Sequence, residues 1–146
     1  MDLSNKGFAQ AGAVVVGAAY LIGGLVGFFA TGLDGFVQNG NATLLTLELN
    51  PFHNIFHVFV GAFLIIIAQF GRPATEGALI GGGAVYLVAL FLGVTSNLSI
   101  LSMGGGITSD NVLHLITGTA ALGLGLLSVS RNAEAERLGD PLAQRR

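Results

Sequence analysis

Apolar and polar positions alternate along these 146 residues on the scale of whole segments, not of single helical turns. Four apolar runs, about 8–32, 52–70, 74–95 and 109–130, are separated by loops rich in Gly, Asn and Ser. A helix of about 20 apolar residues crosses the hydrocarbon core of a bilayer, so each run reads as a membrane span. The boundaries carry helix signals. Asn50 before Pro51 reads as an N-cap and first helical position, and Thr108 or Ser109 can cap the last run, with Asp110 facing the positive end of the dipole. The turn Gly71-Arg72-Pro73 allows only an antiparallel neighbour, which starts at about Ala74 or Gly77. A rival reading of the first run is a signal peptide ending at Ala30-Thr31-Gly32, but such peptides have an apolar core of about 7–15 residues, and this run exceeds that.

The loops add detail. Leu44-Leu45-Thr46-Leu47, in the loop 33–50, is expected to lie against the bundle or the interface. Asn41-Ala42-Thr43 matches a glycosylation sequon, a motif short enough to recur by chance. Residues 131–146 form a polar tail, helix-capable until Gly139 and Pro141.

Composition agrees with this pattern. The chain is 52% hydrophobic and 10% charged, with a mean hydropathy of +0.74. Soluble domains carry about 25% charged residues, so too few remain for a water-facing surface. No cysteine is present, which removes disulfides, thiolate metal sites and Cys nucleophiles. A net charge of −2 leaves no basic patch for nucleic acid. With four spans both ends lie on one side, and Lys6, Arg72, Arg131, Arg137, Arg145 and Arg146 all fall there. The positive-inside rule then puts both termini in the cytoplasm and the loops carrying Asp34, Glu48 and Asp110 outside.

The spans also repeat. Asn-x-x-His-x-x-x-Gly occurs as Asn54, His57, Gly61 and again as Asn111, His114, Gly118. The first run slides onto the third with Gly17 on Gly83, Ala18 on Ala84, Tyr20 on Tyr86, Leu21 on Leu87 and Gly27 on Gly93. The expected fold is therefore all-α: a polytopic membrane domain over 1–130 made of two tandem duplicated hairpins, followed by a cytoplasmic tail. Each hairpin has an even number of spans, so the repeat is parallel, about an axis along the membrane normal. The inner faces of spans two and four should then meet at one depth. His53, Asn54, His57 and Gly61 share one helix face within about 100°, as do Asp110, Asn111, His114 and Gly118. Gly61 and Gly118 permit close helix approach, and Gly23 with Gly27 and Gly77 with Gly81 have the small-xxx-small spacing of touching apolar helices.

On Asn50-Pro51-Phe52-His53-Asn54-Ile55-Phe56-His57 with Gly61, and on Asp110-Asn111-Val112-Leu113-His114 with Gly118, the chain resembles the DUF4383 family, small four-span membrane proteins of actinobacteria and related bacteria. The resemblance extends loosely over about 8–130. It implies four helices and a bacterial cell membrane, and no activity.

The polar cluster leaves three readings open. In the first, it is a packing device: His57 bonds Asn111, His114 bonds Asn54, and Asp110 pairs with a protonated His53. Bonds of this kind between membrane helices contribute about 0.6 kcal/mol on average. The protein is then a non-catalytic accessory or structural subunit that associates with itself or with other membrane proteins. In the second, His53 and His57 at i, i+4 join His114 and the carboxylate of Asp110 or Glu48 around a metal ion, or His57 and His114 clamp a haem or other tetrapyrrole. The third is a small transporter. Against it, the inner halves of the spans are read as lacking ionisable residues, with Gln69 the only amide near the cytoplasmic end. Tyr20 and Tyr86 read as an aromatic core pair. No nucleophile–base–acid set or phosphate loop is present: Gly81-Gly82-Gly83 lies inside a span and Gly104-Gly105-Gly106 follows no strand, so no catalysis is expected.

Overall fold

The computed structural model describes residues 7–38, 42–96 and 99–139. The expectations resting on Lys6, Asn41, Pro141, Arg145 and Arg146 lie outside the described residues.

Four α-helices carry the fold: α1 (Phe8–Thr31), α2 (Pro51–Ile67), α3 (Arg72–Ser96) and α4 (Ser109–Arg137). Three of them, α1, α3 and α4, are long and apolar enough to cross a membrane and mark the chain as a membrane protein. The shorter α2 has 17 residues, about 26 Å at 1.5 Å per residue, against a hydrocarbon core of about 30 Å. Large apolar side chains such as Phe59, Phe63, Ile66, Val85, Val88 and Phe91 point outward, the surface a lipid-facing bundle presents.

Local chemistry explains most helix ends. The Asn50 side-chain oxygen accepts from the His53 backbone N–H at 2.8 Å, and Pro51 fills the first helical position. Thr108 caps α4 by accepting from the Asn111 N–H at 3.2 Å. The two inner helices come out differently from expectation. The second helix stops at Ile67, and the chain turns through Gly71 at φ 100°, a conformation open to glycine. The third then begins at Arg72, because Pro73 is tolerated in a first turn that needs no N–H from it. The last helix runs beyond residue 130 to Arg137, through the helix-capable part of the tail.

The loop 33–50 holds an unforeseen element, a two-stranded antiparallel hairpin of β1 (Ala42–Leu44) and β2 (Leu47–Leu49), in register Ala42↔Leu49, Thr43↔Glu48 and Leu44↔Leu47. Leu44, Leu47 and Leu49 line a cavity with Tyr20, His57 and Leu113, so the hairpin roofs the bundle at its histidine end. The loop between α3 and α4 contributes a single 3-10 turn, Ser99–Leu101.

Packing is strongest within hairpins: α1 lies along α2 and α3 along α4, while α2 and α3 touch little. Small residues make this approach possible. A Cβ at Gly61 would strike the backbone of Leu21 and, at 2.6 Å, the Gly17 carbonyl oxygen. A Cβ at Gly83 would come within 2.5 Å of the Leu122 nitrogen and 2.8 Å of the Gly118 oxygen. The stripes Gly77/Gly81 and Gly23 do not serve as expected, since a Cβ at any of them meets nothing within 4 Å. On α1 Gly27 packs as expected, and Gly12, Gly17 and Gly24 pack with it. The buried apolar core is small-residue rich, built from Ala9, Ala13, Val14, Leu64, Ala68, Leu79 and Ala121.

Candidate functional site: a buried three-histidine cluster

The two ends of the bundle differ in chemistry. At one end Gly7, Arg72 and Arg131 surround a common depression. At the other, Asn50, His53, Asn54, His57, Asp110, Asn111 and His114 are all buried. Such a concentration of enclosed polar groups demands partners, because an unsatisfied buried donor or acceptor costs about 1–3 kcal/mol.

The caps at Asn50 and Thr108 start α2 and α4 so that their polar faces look into the bundle. His53 and His57, one turn apart, stand with ring centroids 4.4 Å from each other and 5.8 and 6.0 Å from that of His114. One ring nitrogen from each of the three lies within 4.8 Å of the others. Nitrogens bound to one ion at about 2.0–2.1 Å stand at most about 4 Å apart, so about an ångström of closure separates this arrangement from a coordination shell. The histidines are 2%, 9% and 5% exposed in chain order, which excludes bulk water from the cluster.

The hydrogen bonds differ from those expected of a packing device. His57 does not bond Asn111, nor His114 Asn54. The Asn54 amide instead donates to Thr31 Oγ1 at 2.9 Å, and the Asn111 amide donates to the carbonyls of Gly104 and Gly106 at 2.9 and 2.8 Å. Each asparagine thus ties its helix to the loop or helix end beside it, because those groups are nearer than the opposite hairpin. Nor does Asp110 pair with His53. Its carboxylate accepts the Glu48 backbone N–H at 3.0 Å and is spent on holding β2. Asp110 therefore stands outside the convergent set, and Glu48 is exposed on the hairpin.

Two features prepare the imidazoles as ligands. His114 Nδ1 lies 2.6 Å from the Asp110 carbonyl oxygen, which can only accept; Nδ1 therefore carries the proton and Nε2 the lone pair. Metal-binding histidines are commonly held this way by a backbone carbonyl. The Nε2 atoms of His53 and His57 are hydrogen-bonded at 3.0 Å, so the proton between them must shift to a Nδ1 before both can bind an ion, and His53 Nδ1 is buried with no hydrogen-bond partner.

Aromatic rings enclose the cluster. Tyr20 meets His57 edge-on at 4.9 Å, and Tyr86 stacks on His114 at 5.4 Å with 16° between planes. The tyrosines also touch each other at 5.2 Å, as an aromatic core pair should. Tyr20 donates to Thr117 Oγ1 at 2.5 Å, whereas the buried Tyr86 hydroxyl has no hydrogen-bond partner. A cavity of about 40 Å³ opens between His53, His114, Tyr86, Leu101 and Met103. Met103 is fully buried, a contact no helical periodicity could reveal because it lies in a loop.

A second departure concerns Glu76. It lies within the first turns of α3, so the inner halves of the spans do contain an ionisable residue. Its carboxylate accepts from Ser128 Oγ at 2.7 Å and Asn132 Nδ2 at 2.8 Å, and Arg72 stands 3.9 Å away. Val14, Leu64, Leu79 and Ala121 belong to the buried apolar cluster of the bundle, which contains no ionisable side chain.

A family model described as a domain of unknown function (DUF4383) matches residues 10–127, and the chain belongs to that family. No curated protein and no solved structure matches it.

Proposed function

We propose that this member of the DUF4383 family is a four-span protein of the bacterial cell membrane that binds one transition-metal ion between His53, His57 and His114. The observation that carries this reading is the convergence of three buried imidazole nitrogens within 4.8 Å. A bare ion suits the space better than a tetrapyrrole: the cavities that border the histidines are about 40 and 180 Å³, whereas pockets for organic ligands run to about 300–1,000 Å³.

Topology follows the same chemistry. Arg72 and Arg131 gather with Gly7 at one end, which supports cytoplasmic termini and an outward-facing histidine cluster. Duplication of one hairpin is supported by the matched contacts of Gly17 with Gly61 and of Gly83 with Gly118. With α2 at 17 residues, a fourth span needs the bilayer to thin slightly or the helix to stand upright, at a modest cost.

The test is elemental analysis with an absorbance spectrum on protein purified natively in mild detergent. About one equivalent of Cu, Zn or Fe, lost in His57→Ala while the variant stays folded, is the expected result. Folded wild-type protein that remains metal-free after incubation with each of these ions would overturn it.

The accessory-subunit reading keeps one supporting observation. Gly77 and Gly81 on α3 face open space, at the spacing by which a second apolar helix packs. Cysteine cross-linking from position 77 in native membranes would yield a specific adduct if that face is covered, and monomer alone would remove the reading. Transport lacks such support, because the buried apolar cluster of the bundle contains no ionisable side chain.

A further inference from the structure

We infer that the ion this site takes is monovalent copper, with the Met103 thioether completing the donor set; this rests on the three-histidine reading above. The first ground is charge. The convergent donors are three neutral imidazoles, and the chain has no cysteine to supply a thiolate. The nearest carboxylate in the cluster, Asp110, is held by the Glu48 N–H, the Tyr20 hydroxyl is committed to Thr117, and the Tyr86 hydroxyl, though without a partner, is a phenol that is neutral at pH 7. The Born cost of moving an ion into a low-dielectric interior grows with the square of its charge, so a dication without an anionic ligand costs about four times as much as a monocation. Rings of Tyr20 and Tyr86 packed against His57 and His114 offer π density in place of a counter-charge.

The second ground is the identity of the remaining neighbour. Met103 borders the same cavity of about 40 Å³ as His53 and His114 and is 0% exposed. It reaches that place through two local devices. Ser102 takes a left-handed φ of 56°, uncommon outside glycine, and so turns the following residue. Gly93 on α3 leaves the room that the Met103 methyl occupies, since a Cβ there would stand 3.0 Å from Met103 Cε. A cavity of this size exceeds the roughly 10–15 Å³ needed for a water, and has room for an ion. Thioether and imidazole together select cuprous ion, whereas the usual donors to zinc are thiolate, imidazole and carboxylate.

The experiment uses the full chain in mild detergent under anaerobic, reducing conditions. Cu(I) is offered from a chromophoric Cu(I) chelator and Zn(II) from a zinc chelator, separately and in competition. Wild type should take one Cu(I) and retain it against excess Zn(II). Met103→Leu, close in volume to the original, should lose at least about tenfold in Cu(I) affinity with Zn(II) binding unchanged. X-ray absorption of the wild-type copper form should show nitrogen and sulfur scatterers, a readout independent of how the variant folds. Preference for Zn(II) would overturn the copper assignment, and a copper shell without sulfur would overturn the Met103 ligand; either leaves the three-histidine site standing. Binding of neither ion would overturn the copper assignment, and failure to bind iron as well would overturn the three-histidine reading with it.

Discussion

The first hairpin, α1 with α2, and the second, α3 with α4, use the same contact at the same place and then diverge. In each, an asparagine side-chain oxygen sits where the Cβ of a glycine on the paired helix would stand: Asn54 against Gly27, and Asn111 against Gly93 at 3.0 Å. In each, that oxygen is buried without a hydrogen-bond partner while the amide nitrogen is used. In each, a tyrosine leans on a histidine. The divergence lies in one pair of equivalent positions, in the partners of the two asparagine amides and in how closely the helices approach at Gly61 and Gly118. His53 stands where the second hairpin has Asp110, so two imidazoles face one, and the carboxylate is diverted to the β-hairpin. The asparagine–glycine contact and the tyrosine–histidine pair are shared, whereas the histidine count and the asparagine partners are not.

The largest effect that tests this comparison is at the glycines. Gly61→Ala would drive a Cβ into the α1 backbone at Leu21 and Gly17, whereas at Gly118 the same atom meets the Leu87 and Tyr86 side chains at 3.2 Å. Overpacking typically costs about 1–3 kcal/mol, so Gly61→Ala should lie at the top of that range and Gly118→Ala at the bottom. Reversible unfolding in detergent measures both; equal losses would mean that the hairpins pack alike after all.

Intermediate effects are expected at the asparagines. Asn111 donates to two loop carbonyls and Asn54 to one hydroxyl. With about 0.6 kcal/mol for an average bond of this type, Asn111→Ala should destabilise about twice as much as Asn54→Ala. It should also raise hydrogen exchange in the loop 104–106. If Asn54→Ala proves the costlier, the loop contacts of Asn111 contribute little.

The smallest effects distinguish the tyrosines. Tyr20→Phe removes the bond to Thr117 and should cost about 1 kcal/mol. Tyr86→Phe removes a buried hydroxyl that has no partner, and should be neutral or slightly stabilising by the same unfolding measurement. A loss at Tyr86 matching that at Tyr20 would show that its hydroxyl is used.

Long apolar runs, the Asn50-Pro51 start, the Thr108 cap and the twofold Asn-x-x-His-x-x-x-Gly pattern were legible in the residues alone. They depend on neighbours a few positions apart, and short-range sterics and periodicity decide them. That His53, His57 and His114 lie near one another was legible for a related reason: the same motif at the start of two helices puts its residues at one depth. Which partners the polar groups take was not legible. An asparagine on α2 or α4 can bond the opposite hairpin or the groups beside it, and the choice is made by how the helices pack. The same holds for Gly77 and Gly81, whose spacing equals that of packed glycines but whose face looks outward. Met103, the β-hairpin over the site and the carboxylate of Glu76 came only with the tertiary structure. Each acquires its role from contacts tens of residues away along the chain, and no local pattern encodes a contact at that range.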